Sequence, residues 1–427
     1  MRLHQAICLG VVGLTLGCAT ESAAPTAPRD LRGSGDANAN LLGWSNSNDR
    51  DILTTVGDVD VFDSGYGSAI AMAPFGPRHF YLLTDRGPNI DFPNGNKGFP
   101  APSYAPRIIT AHYLLGRLWI DDTILLRRAD GTPLTGLPIG TGGCGSTGET
   151  AFTLDGAVIP NDPQGIDSEG LVVLDDGSFW VSDEYGPFMA KFNRFGREQM
   201  RWSPCNGGLP TVYAKRRPNR GMEGLTITPD GKWLVGMMQA PLENPSSTGV
   251  RNISRLTRMI FKHLTNGTTR EYAYLLDDST SQGNSEILAL SNTKFLVLER
   301  DGNFLGGTPP AALKRIYEID ITGATDISTL GALGNTPIAG KTLEQATATQ
   351  LLAALKPVSK KLKFDLVKEG YTHDKAEGLV LTRDNVLFVS NDDDYGINTG
   401  AIGVMVQKVL PSTGKIDAVE LFPLRMR

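Results

Sequence analysis

The sequence predicts an all-β protein: a β-propeller of about five or six four-stranded blades, with a short helical insertion near residues 342–356. Three observations carry that expectation. Paired apolar runs joined by turn residues recur along the chain, an acidic residue opens most of these pairs, and two further strand-like runs follow each pair.

The clearest pair lies at 167–187. Glu169 precedes an apolar run at 171–174, Asp175-Asp176-Gly177 supplies a turn, and a second run at 179–181 leads to Asp183 and Glu184. Apolar runs joined by an Asp-Gly turn read as a β-hairpin, which brings Glu169 and Asp183 to the same end of a sheet. The pattern returns at 219–242 behind Glu223. It returns again at 283–301 behind Glu286, closed by Glu299-Arg300-Asp301, and at 374–395 behind Glu377, closed by 391–394. A weaker copy runs over 67–89. There Ser68 stands in the place of the leading Glu, and Thr84-Asp85-Arg86 echoes Ser182-Asp183-Glu184.

Outer strands are expected at 108–114 and 118–127, 189–194 and 199–202, 258–263 and 270–275, 315–321 and 326–330, and 403–409 and 416–422. Units of this kind bury their faces by stacking on neighbours. In a propeller the first strands line a central channel, so an acid repeated at their start has a common destination. A two-sheet sandwich, the alternative, gives no such reason. Before the last unit, Thr342-Leu343-Glu344-Gln345 fits a helix capping box, and 343–355 has helical spacing up to Pro357.

The 427 residues divide into three expected parts: a lipoprotein-type signal peptide at 1–18, a flexible tether at 19–50, and the propeller domain at 51–427. Arg2 and the apolar run at 6–16 make the signal, which is too short to span a bilayer as a mature helix. Leu14-Thr15-Leu16-Gly17-Cys18 resembles a lipoprotein cleavage box, which would leave Cys18 as the lipidated N-terminus; the alternative is ordinary cleavage near Ala23-Ala24. The expected location is therefore the bacterial periplasm or cell surface, with membrane contact only through that anchor. A net charge of −5 supplies no general basic field for nucleic acid. Cys144 and Cys205 remain in the mature chain, as a disulfide in an exported protein or as two free thiols.

On a propeller, Glu169, Glu223, Glu286 and Glu377 would ring the channel mouth, with Asp183, Glu184, Asn391 and Asp392 close by. Carboxylates so crowded either take up protons or are neutralised by cations. Oxygen donors without His or Cys suit Ca2+ above Mg2+, and Glu169, Glu223, Glu286, Glu377, Asn391 and Asp392 are the candidate metal ligands. The plainer alternative is that each Glu accepts backbone amides and locks the ring. Arg86, Arg220, Arg300 and Lys375 lie in the same loops, as contacts for an anionic substrate or as partners that balance the acids. Asp183 and Glu184 are acid–base candidates, because neighbouring acids raise a pKa. His373, four residues before Glu377, is a third. The sequence holds no G-x-S-x-G elbow, Walker loop, H-E-x-x-H or Cys-His zinc spacing.

These motifs resemble the bacterial phytase-like family, described as having esterase-like activity of phytase. The resemblance rests on D-S-E-G-L (167–171) with S-D-E-Y-G-P (182–187), N-R-G-M-E-G-L (219–225) with A-P-L (240–242), S-E-I (285–287) with L-E-R-D (298–301), and K-A-E-G-L (375–379). It spans roughly residue 51 to the C-terminus. It implies a propeller-type domain whose repeated Glu and Asp serve phosphoester hydrolysis on a small-molecule substrate. The R-H-G-x-R-x-P motif of histidine acid phytases is absent. The E-G-L pattern is also similar to calcium-dependent lactonase propellers, in which channel-mouth Glu, Asn and Asp hold Ca2+. Three functions follow as expectations: a metal-dependent phosphoester hydrolase, a calcium-dependent lactonase or carboxylic esterase, or a non-catalytic binding propeller.

Overall fold

The computed structural model describes the backbone of Ser45–Ser47 and residues 51–426, apart from 249, 252, 278–282, 331–337 and 339. Cys18, the signal segment and most of the tether lie outside the described residues.

Among the described residues, five four-stranded antiparallel blades form a closed ring. Blade 1 comprises Ala69–Met72, His79–Leu83, Arg107–Leu114 and Arg117–Leu125. Blade 2 comprises Ser168–Val173, Phe179–Asp183, Phe188–Phe192 and Glu198–Trp202. Blade 3 comprises Met222–Ile227, Trp233–Met238, Leu256–His263 and Thr269–Leu275. Blade 4 comprises Gly283–Ala289, Lys294–Arg300, Lys314–Asp320 and Ser359–Asp365. Blade 5 comprises Ala376–Leu381, Val386–Asn391 and Glu420–Arg425, and takes its outer strand, Ser45–Ser47, from the start of the domain. Each first strand packs against the first strands of both neighbouring blades, and blade 5 packs against blade 1.

Period-2 alternation explains the ring. In blade 1, Tyr81 and Leu83 face blade 2, where they meet Phe179 and Val181. Phe80 and Leu82 face the other way and meet Val380 and Phe388 of blade 5. One apolar cluster fills each remaining interface: Val172 and Trp180 against Met222 and Leu225, Val235 and Met237 against Phe295 and Val297, and Leu296 and Leu298 against Leu387 and Val389. The inner strands are thus each half of two cores, which is why the blades cannot stand alone.

Several sequence expectations need correction. Ser45–Ser47, assigned to the tether, is a strand that pairs antiparallel with Glu420–Arg425 and parallel with Arg117–Leu125, so it bridges the outer edges of blades 5 and 1. The expected strands at 403–409 and 416–422 are replaced. Met405–Gln407 forms a separate hairpin with Ile397–Thr399, and the third strand of blade 5 starts at Glu420. In blade 4 the stretch 326–330 holds a 3-10 turn, Ile327–Thr329, and the outer strand is Ser359–Asp365. The region between blades 1 and 2 holds no sixth blade. Ile90–Phe92, Asn96–Gly98, Ala151–Phe152 and Val158–Ile159 form a small sheet of their own there.

The helical insertion is shorter than its spacing predicts. The helix is Ala348–Ala354, with a capping box formed by Thr347 and Gln350. The box at Thr342 and Gln345 also forms but closes a single turn. The insertion is anchored by charge: Arg258 is fully buried and bonds Glu271 at 3.0 Å and Glu344 at 2.6 Å. Cys144 and Cys205 are joined by a disulfide that closes 61 residues and ties the Gly-rich loop before blade 2 to the end of that blade. No helix among the described residues is long and apolar enough to cross a membrane.

The Gly of the repeated E-G-L motif has a packing reason. A Cβ on Gly224 would lie 2.6 Å from the Ile287 amide nitrogen of blade 4, and one on Gly378 would lie 2.8 Å from that of Ile70 in blade 1. Gly224→Ala should therefore push blades 3 and 4 apart at the axis. The expected cost is about 1–3 kcal/mol, read as a lower urea midpoint.

Candidate functional site

The carboxylates gather at the end of the ring where first strands begin and second strands finish. In blades 2, 3 and 5 the ladder between these strands shifts register at the leading Glu, between Ser168 and Leu171, Met222 and Gly224, and Ala376 and Leu379; in blade 4 the shift falls one residue earlier, at Ser285, and Glu286 pairs with Leu298. Such a bulge inserts an extra residue and re-aims its side chain. Blade 1, with Ser68 at this position, pairs without a shift from Ala69 to Met72.

The bulges bring acids from different blades into one electrostatic field. Burial raises the Glu169 carboxyl well above its ordinary range, and Glu223, Asp167, Glu184 and Glu377 raise it further. Glu223 is raised by burial, Glu184 and Glu377, against the opposing field of Arg300 and Arg220. Glu184 is raised by burial and by Asp167, and held down in part by Arg220, Arg86 and Lys375.

Within this group, Asp167, Glu169 and Glu184 each offer an oxygen, and these oxygens lie within 4.8 Å of one another. Local structure sets the juxtaposition. The Glu184 amide donates to the Asp167 carbonyl at 2.8 Å, so the two residues close the hairpin side by side, and the bulge turns Glu169 toward them. Asp167 and Glu184 are buried and Glu169 is partly exposed. Arg86 borders the cluster. Its side chain lies 3.7 Å from Asp167 and 3.1 Å from Glu149, and its backbone amide donates to Asp167 at 3.2 Å. Asp167 and Glu149 were not among the residues chosen from sequence. Asp167 had a visible signal, since it lies two positions before Glu169 at the mouth of the same hairpin.

Other expected site residues serve the scaffold. Asp183 is fully buried and accepts from the Gly186 amide at 2.8 Å and the Asp167 amide at 3.2 Å; burial pushes its carboxyl up to about 7. It positions the loop that carries Asp167 and Glu184. Glu286 accepts from the amides of Leu225 and Ile287, which locks blade 4 to blade 3. Asn391 donates to the Ala418 carbonyl at 2.9 Å and accepts from the Glu420 amide at 2.7 Å, so its amide group is spent on blade 5.

The expected substrate-binding cations lie among the acids. Arg300 bonds Glu377, and Lys375 bridges Asp392 and Asp394. Arg86 is buried among Glu149, Asp167 and Tyr185. Arg220 is partly exposed, beside Glu184 and Glu223. His373 is also not placed as a general base. It is fully buried, with Asp417 at 2.6 Å on Nδ1 and Glu420 at 3.1 Å on Nε2. Burial works against its charge, but the two acids outweigh it and push the pKa up to about 9. A ring protonated at neutral pH cannot accept a proton. From His373 the network runs through Asp417 to Lys408, which lies 2.7 Å from Asp394 at the mouth.

Fold and site together define a five-bladed β-propeller with a carboxylate-rich channel mouth. Residues 64–395 match the phytase-like family, described as esterase-like activity of phytase, and the chain belongs to that family. An uncharacterized secreted protein of Arthroderma benhamiae is 32% identical over a match that covers 43% of this chain and 45% of that protein, so the likeness spans less than half of the relative's length. Distant structural likenesses include virginiamycin B lyase from Staphylococcus aureus (12% identity, TM-score 0.32, covering 86% of this chain and 97% of that one). The Cps50 (Swd1) β-propeller domain of Myceliophteria thermophila is similar at 10% identity and a TM-score of 0.32, covering 89% and 100%. The fold assignment rests on the closed ring of blades itself.

His373 gives a pH test of this arrangement. Its folded pKa is raised above the ordinary 6.5, so its stabilisation is fully present below that value and is lost as pH rises toward about 9. Urea midpoints should fall across that window in the wild type. His373→Gln should start lower at pH 6 and lose less over the same range.

Proposed function

We propose that this protein is an exported ester hydrolase acting at the channel mouth, with a phosphoester as substrate and Ca2+ bound by Asp167, Glu169 and Glu184. The observation that carries the reading is the convergence of those three carboxylates within 4.8 Å, in surroundings that hold the Glu169 and Glu184 carboxyls well above their ordinary range. The donor set fits the ion: it is all oxygen and mostly buried. Across the mouth, Glu377 Oε2 is buried without a hydrogen-bond partner among the described residues. A bound dication would polarise the ester and lower the pKa of a coordinated water.

The chain's own groups divide the remaining work. Arg220, partly exposed beside Glu184 and Glu223, would meet the anionic substrate and orient it. Glu223, whose carboxyl pKa is pushed up by burial and by the neighbouring Glu184 and Glu377, would donate a proton to the leaving oxygen. Asp183 and Arg86 would position the loop and side chains around Asp167. Membership of the phytase-like family supports hydrolysis of an ester, and the choice of a phosphoester over a lactone rests on the cations around the mouth. Export is supported by the apolar segment at 6–16, the Cys144–Cys205 disulfide and the secreted relative; anchoring through Cys18 is part of the same proposal.

The decisive assay compares a phosphomonoester, a phosphodiester and a lactone, with Ca2+ and with a chelator. Phosphoester turnover should require Ca2+ and fall at least 100-fold in Glu169→Gln and in Asp167→Asn, and the Ca2+-induced rise in melting temperature should vanish in both. Turnover of the lactone alone would transfer the site to the lactonase reading. Absence of all three activities, with no thermal response to Ca2+, would leave a binding propeller.

A further inference from the structure

Blade 1 carries a second cluster of metal-ligating side chains, at the far end of its strands from the acidic mouth. His79 opens the strand whose other end leads into Asp85, and it stands directly opposite His112 in the ladder. Their rings stack with centroids 5.5 Å apart and planes 30° from parallel. A register shift between Thr110 and Ala111 brings Asp121 beside His112, where its carboxylate lies 2.8 Å from Nδ1. One ligand atom from each of His79, His112 and Asp121 lies within 4.8 Å of the others.

The donors differ in kind from those at the mouth. Two imidazoles and one carboxylate are a borderline set that suits Zn2+ or Cu2+, whereas Ca2+ seeks oxygen alone. The geometry is fixed by the sheet rather than by flexible loops. His79 is held by packing against Phe75, at 5.7 Å between ring centroids, and its Nδ1 is buried without a hydrogen-bond partner among the described residues. Both histidines are partly exposed and Asp121 is exposed, so an ion has a path in. We infer that His79, His112 and Asp121 form a surface site for a zinc-type dication, which clamps the three outer strands of blade 1.

The test uses the full chain without a purification tag, saturated with Ca2+ to occupy oxygen-rich sites. One equivalent of Cu2+ should give an electron paramagnetic resonance spectrum with nitrogen couplings from two imidazoles. Calorimetry with Zn2+ should show an affinity at least tenfold lower in His79→Gln, His112→Ala and Asp121→Asn. His263→Ala, on a different blade, should bind Zn2+ as the wild type does. Asp121→Asn keeps its shape at an exposed position, so it reports on binding even where a histidine variant folds poorly. A wild-type copper spectrum without nitrogen couplings would overturn the proposal. So would Zn2+ affinity within twofold of wild type in both His112→Ala and Asp121→Asn, or loss of binding in His263→Ala.

Discussion

The close approach of five first strands around one axis is the constraint on which the rest of this structure depends. At Gly170, Gly224 and Gly378 the neighbouring blade occupies the space a side chain would take. The residue before each of these glycines sits at a bulge and carries a carboxylate. Apolar packing between blades closes the ring, and closing it drives the carboxylates into a low-dielectric centre. Burying an ion costs several kilocalories per mole unless it is paired or neutralised. Charge compensation at the mouth is therefore a condition of folding as much as a means of chemistry.

The protein meets that condition in two ways. Some acids are saturated by the scaffold. Asp183 and Glu286 accept backbone amides, and Asp301 accepts the amides of Ala312 and Leu313 while pairing with Lys314. Others pair across blades, as Arg300 does with Glu377. Asp167, Glu169 and Glu184 differ, because they turn oxygens toward one another. In the proposed reading, that geometry, and not residue type, separates the site from its frame.

This distinction explains what the sequence could reveal. The hairpins were legible because alternation and Asp-Gly turns are local signals, and the leading acids stood out because they repeat. The closing strand Ser45–Ser47 was not legible: Ser45-Asn46-Ser47 has no apolar pattern, and its place is set by the edges of Glu420–Arg425 and Arg117–Leu125. Residues 403–409 misled for the opposite reason. Val404 and Val406 alternate as a strand does, yet both are exposed, on or beside a small hairpin. The roles of the acids were hidden because they depend on partners far along the chain. Asn391 reads as a ligand until Ala418 and Glu420 are placed beside it, and His373 reads as a base until Asp417 is.

Blade 1 is where the ring departs from its own repeat, and that departure gives the mouth a direction. Ser68 removes one carboxylate from the circle, and Arg86 stands in the position that Glu184 holds in blade 2. A ring with five equivalent acids would present the same field to every blade and would favour a centred, symmetric plug. Here a buried arginine sits on the blade 1 side, while the converging oxygens belong to blade 2. Glu223, Glu377 and Arg300 complete the far side. The field therefore has a cationic flank and an acidic focus displaced from the axis. Under the proposed reading, an anionic ester entering such a mouth would be drawn toward positive charge and held beside the carboxylates. That unequal arrangement, more than the number of acids, is what lets a repeated fold present a single distinct corner.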